Sequence, residues 1–147
     1  MAKLSWLEGE WLGEGWRAGP EGKSTYNASE VAEYDVDGTV LVLHGRGWSI
    51  GPDGEEIVGH NALGILSYDA MTQQYRMSAY VTQGFQTHGT PTVGDKEFRW
   101  SVAAGPNTEM RYHAWLSEDG EWTETGERCV GDNCVQFMGM KLKKTGD

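Results

Sequence analysis

Leu7 to Gly15 reads LEGEWLGEG, and it places Trp11 with Gly9, Gly13 and Gly15 on every second residue. That is the period of a β-strand. One face of such a strand carries a large ring flanked by positions without side chains. Glycine inside a strand costs stability and marks a sharp bend or a close backbone approach. The stretch therefore reads as the first strand of a tightly curved sheet, with Trp11 plugging one end of a barrel. Just before it, AKLSWL at 2–7 has Leu4, Trp6 and Leu7 as its apolar residues. It reads as a single helical turn, a lid or plug at a barrel end.

Downstream, turn chemistry recurs at short intervals: AGPEGK at 18–23, DVDG at 35–38, GPDG at 51–54, YDAMTQ at 68–73 and TQG at 82–84. VGDK at 93–96, AGPN at 104–107, SEDG at 117–120 and VGDN at 130–133 continue the series. Each sets Gly, Asp, Asn or Pro where a turn needs it. Ten strands fit between them, at 10–17, 23–35, 39–48, 55–68, 73–81, 84–92, 96–103, 108–117, 121–129 and 134–144. Every connection has hairpin length, so sequential neighbours run antiparallel. Closure removes exposed edges, and the expectation is an all-β, up-and-down antiparallel barrel in one domain spanning 1–147. A flattened two-sheet sandwich is the alternative.

Composition agrees. The chain has 147 residues with 21 Gly, seven Trp, six Tyr and three Phe, which suits tight turns and a core of large rings. Its formal charge of −10, from 12 basic against 22 acidic residues, repels phosphate backbones and anionic lipid. Nucleic acid and membrane surfaces are therefore not expected partners. No basic start followed by an apolar run precedes Leu4, so no secretory signal is read and cytoplasmic is the default compartment. Either a monomer or a homodimer is compatible with the sequence.

Alternation suggests which faces turn inward. Tyr75, Met77, Ala79 and Val81 oppose Arg76, Ser78 and Tyr80. Phe98, Trp100 and Val102 oppose Arg99 and Ser101, while Met110, Tyr112, Ala114 and Leu116 oppose Arg111, His113 and Trp115. Glu30 shares a face with Tyr26, Ala28, Ala32 and Tyr34. If that face is internal, Glu30 is a carboxylate among aromatics, and desolvation raises its pKa towards that of a general acid or base. If the strand is turned over, Glu30 stands in water. Of Glu124 and Glu127, on opposite faces of one strand, one is expected inside.

His44, His60, His88 and His113 lie on different strands without HxH or HExxH spacing, so no metal site is read. Cys129 and Cys134 flank VGDN; direct pairing gives a disulfide, and a slipped register leaves two thiols. No glycine-rich phosphate cradle opens a helix, and no nucleotide cofactor is expected.

The run Leu7-x-Gly9-x-Trp11-x-Gly13-x-Gly15 resembles the opening motif of nitrobindin-like proteins, within the calycin group of lipocalins and fatty-acid-binding proteins. The run 62–84, ALGILSYDAMTQQYRMSAYVTQG, is similar to small bacterial lipocalin-like domains, as is the ending from Glu121-Trp122 through FMGMKLKK at 137–144. The calycin resemblance implies a barrel around a cavity for a small, largely apolar molecule. The nitrobindin resemblance implies haem held by a histidine near the C-terminal end. This chain departs from that pattern: Trp16-Arg17-Ala18 replaces the tyrosine–proline step, and no histidine follows His113.

The leading expectation is lumenal binding of a small hydrophobic or aromatic ligand without a cofactor. Trp11, Tyr75, Met77, Trp100, Tyr112 and Phe137 are the candidate contact residues, and Tyr26, Glu30 and His60 the orienting ones. Two alternatives accompany it. One is a cofactor-free enzyme of isomerase or cyclase type, using Glu30 or His113. The other is a haem protein with His113 as its ligand.

Overall fold

The computed structural model describes residues 1–147. Eleven strands form one antiparallel sheet: β1 (Gly9–Gly19), β2 (Gly22–Asp35), β3 (Val40–Ile50), β4 (Glu56–Asp69), β5 (Gln74–Val81) and β6 (Gln86–Gly89), then β7 (Thr92–Gly94), β8 (Glu97–Ala103), β9 (Thr108–Leu116), β10 (Trp122–Val130) and β11 (Asn133–Gly146). The order across the sheet is β6, β5, β4, β3, β2, β1, β11, β10, β9, β8, β7. Consecutive strands pair throughout, except that β1 pairs with β11 and no ladder joins β6 to β7.

The expected all-β, barrel-like fold is therefore present, with two differences. The strand read at 84–92 is two strands, because Pro91 has no N–H to give a ladder and the chain passes there from pairing with β5 to pairing with β8. The sheet curls without complete hydrogen-bonded closure. Its edges meet at a packed seam, where a methyl group on Gly89 would lie 3.3 Å from the Ser101 carbonyl oxygen and 3.4 Å from the Trp100 ring.

The opening motif explains the curvature. Trp11 and Gly15 are buried and Gly13 is half-buried, on the inner face of β1, with Glu10, Leu12 and Glu14 turned out. At Gly13 a Cβ would collide with the Lys141 carbonyl of β11 and lie 2.9 Å from the Leu142 Cα. Glycine thus permits the close approach of β1 and β11 that bends the sheet. At Gly15 a Cβ would sit 2.6 Å from the Tyr26 ring, so the missing side chain leaves space for that ring inside.

One end is sealed by the N-terminus. A short 3-10 segment, Ala2–Leu7, buries Leu4 and Leu7 completely. The Trp11 indole N–H donates to the Leu7 carbonyl at 2.8 Å, and the Tyr34 hydroxyl donates to the Met1 carbonyl at 2.9 Å. Trp122 packs nearly perpendicular to Trp6 and Trp11, with ring centres 5.9 and 5.6 Å apart. Leu41, Leu66 and Leu142 complete this apolar plug. At the rim of β10 and β11, Cys129 and Cys134 are directly paired and form a disulfide, which resolves the two readings of that hairpin. No helix is long and apolar enough to cross a membrane.

Candidate functional site

Above the plug the sheet encloses a cavity of about 280 Å³. A second hollow of about 200 Å³ shares Arg17, Tyr26 and His60 with it and continues outwards beside Trp48 and Ile57. The lumen is thus closed at the Trp11 end and open towards the β1–β2 and β3–β4 hairpins.

Seven of the nine candidate residues line this cavity. Met77, Trp100, Tyr112 and Phe137 supply its apolar wall, and Tyr26, Glu30 and His60 add polar groups. Trp100 stacks on Tyr112, with ring centres 5.2 Å apart, and Phe137 meets Tyr112 edge-on at 6.0 Å. Trp11 and Tyr75 stand elsewhere. Trp11 belongs to the plug, held by the Leu7 carbonyl, and the Tyr75 ring packs edge-on against Tyr68.

Glu30 points inward because its strand buries Ala28 and Ala32 on the same face. Its neighbour across the ladder is Gly45, where a Cβ would lie 2.6 Å from the Glu30 carboxylate. The glycine makes the groove in which that carboxylate rests. Glu124 is the inward member of the pair left open by the sequence, on the face that also buries Trp122 and Gly126. Trp122, a large apolar ring two residues before Glu124, is the sequence signal for that parity.

The two carboxyl groups share one low-dielectric space, and no cation forms an ion pair with either. Burial pushes the Glu124 carboxyl up to about 7, opposed weakly by the nearby Trp122 indole N–H. Burial also raises Glu30 well above the usual carboxylate range, and the charge of Glu124 raises it further. Burial holds His60 below its ordinary value, with Arg17 adding to the effect, which favours a neutral imidazole. Tyr112 is raised by burial and then by Glu124. The interior therefore grades from acid groups inside to Arg17 at the mouth.

Sequence alternation alone missed two features. A bulge opposite Gly126 and Glu127 takes Phe137 out of register, so Phe137 and Met138 both reach the lumen. A Cβ on Gly126 would lie 2.8 Å from Met138 and 3.1 Å from Phe137, so the glycine accommodates both. Arg17 also lines the mouth, on the inner-face parity of Gly13 and Gly15.

His113 is outside the barrel, as expected for a residue alternating with Tyr112 and Ala114. It stacks on Trp115 at 4.4 Å, and its Nε2 lies 3.4 Å from a Glu97 oxygen. It is therefore not placed to serve as a lumenal acid, base or haem ligand. The remaining lumenal imidazole, His60, is on β4 and not near the C-terminal end. The residues present do not fit a haem held as the nitrobindin resemblance implies.

This geometry defines an antiparallel, barrel-like protein with a blind, largely apolar lumen and two interior carboxyl groups. The solved structure of Rv2717c from M. tuberculosis has a similar fold, with a TM-score of 0.65 and 17% identity over 98% of this chain and 96% of that one. No protein-family profile matches the sequence. No curated protein sequence matches it either.

Proposed function

We propose that this protein binds a small, largely apolar ligand in its lumen, in the manner of the calycins. The observation that carries the reading is the blind 280 Å³ cavity walled by Met77, Trp100, Tyr112 and Phe137. Concave, mostly apolar pockets with a few convergent polar groups are the usual form of small-molecule sites. The volume lies near the lower end of the range for drug-sized ligands, which favours a ligand of one or two fused rings.

Native mass spectrometry of freshly purified protein is the direct test. A discrete added mass supports a carrier and separates an organic ligand from haem. A bare chain mass removes tight carriage. Trp100→Ala and Tyr112→Ala are expected to weaken binding of that ligand by more than they lower unfolding free energy. Equal losses in the two measurements would mark these rings as plain core.

One observation favours a second reading, proton-transfer catalysis. Glu124, half-buried in the cavity wall and raised to about 7, is suited to exchange a proton with a bound substrate near neutral pH. Its partner Glu30 supplies a second carboxyl in the same space. Loss of turnover with retained binding in Glu124→Gln would support catalysis over carriage.

A further inference from the structure

We infer that the lumenal ligand carries a basic nitrogen, and that Glu30 and Glu124 receive it as an ammonium group beneath the aromatic wall. The inference rests on the lumenal binding proposed above and names the chemistry of the ligand.

Three observations carry it. First, Glu30 and Glu124 line one cavity on opposite sides of β1 and β11, and no ion pair satisfies either. The other charged or titratable groups on the wall do not supply that partner. Arg46 turns out to Glu56 at 2.6 Å, while Arg17 stands at the mouth with Tyr26 and His60. Second, the indole N–H of Trp122, a residue only 1% exposed on the same wall, closes no well-formed hydrogen bond, though it stands near enough to the Glu124 carboxyl to favour its ionised form. A donor and two carboxyl groups are thus left incomplete around one space. Third, Trp100, Tyr112 and Phe137 bring ring systems to that space, and ring faces attract cations.

Two carboxylates in one low-dielectric cavity do not both ionise readily, so the empty site retains a proton. An incoming ammonium group offsets one of the two negative charges and exchanges for the retained proton, so the net charge of the site is unchanged. The retained proton then leaves to solvent, and the ionised Glu124 can accept from the Trp122 indole. Charge is balanced: one cation enters, up to one proton departs, and two carboxylates remain against the ammonium. An unpaired buried charge is costly, and a charge-assisted hydrogen bond is stronger than a neutral one.

The test uses three probes of matched shape: tryptamine as the cation, tryptophol as the neutral alcohol and indole-3-acetate as the anion. Affinities are measured by calorimetry at pH 7 in two buffers of different ionisation enthalpy. Tryptamine is expected to bind about tenfold or more tighter than tryptophol, a factor corresponding to about 1.4 kcal/mol. Its binding should release protons, and indole-3-acetate should bind weakest. Glu30→Gln and Glu124→Gln should each lower tryptamine affinity about tenfold more than tryptophol affinity. Trp100→Ala should weaken both. If tryptophol or indole-3-acetate binds as tightly as tryptamine, the basic-nitrogen inference fails while lumenal binding stands. If none of the three binds, this inference is overturned, and a bare chain mass in the native spectrum then removes tight carriage as well.

Discussion

Gly13→Ala is expected to lose about 3 kcal/mol or more of unfolding free energy, the upper range for overpacking a closely packed site. The added methyl meets main chain, namely the Lys141 carbonyl and the Leu142 Cα of β11. Main chain in a paired strand cannot rotate away as a side-chain tip can. Relief requires separating β1 from β11, and that pairing joins the two halves of the sheet. A typical domain has about 5–15 kcal/mol in hand, so the loss is a large share. Gly59→Ala is the control, since nothing lies within 4 Å of its added methyl. Its expected effect is about 0.5 kcal/mol or less. Urea denaturation of both variants checks the comparison; similar midpoints for the two would refute the close-approach argument.

Stability is also expected to fall as pH rises from about 5 to 8, and Glu124→Gln should remove much of that fall. The folded-state pKa of Glu124 is raised from 4.5 to about 7. Between those values the native state binds more protons than the unfolded state, so unfolding free energy decreases with pH. The contribution is fully favourable below the unfolded pKa and is lost as pH passes through the folded one. For a shift of this size the loss is on the order of 3 kcal/mol. Glu30, also raised, acts in the same direction and extends the decline upwards. Glutamine keeps the shape without the titration, so the variant should gain on the wild type most at pH 8. Urea midpoints for both proteins across this window measure the difference. Parallel curves would mean that the Glu124 carboxyl is well solvated or paired in solution.

Much of this arrangement was legible from side-chain alternation. The Gly9-Trp11-Gly13-Gly15 face and the Met77, Trp100 and Tyr112 positions follow from a period of two and a barrel wall, whereas the same period puts Tyr26 and Glu30 on one face without deciding whether that face is inside. Alternation fails where the ladder is irregular. Pro91 splits a strand, and the bulge at Phe137 brings two successive side chains inside. Tyr75 shows a different limit: inward parity does not say at what height along the barrel a ring will sit. Its position beyond the cavity depends on strand stagger, which is a property of the assembled sheet. His113 follows its parity outwards, against the chemical reading that would have used it.

The strand order has a consequence for how the chain assembles. All ladders but one join strands adjacent in sequence, while β1 and β11 bring together the two ends of the chain. Hairpins have only short loops to close, but this contact must close nearly the whole polypeptide, and loop closure costs entropy. Docking of β1 on β11 is therefore the topologically demanding event in folding, eased by Gly13, which lets the main chains come close. Chain ends linked to one another and reopened at Thr90–Pro91 would remove that demand. The strands would then run β7 to β11 and β1 to β6, a simple meander with each neighbour next in sequence.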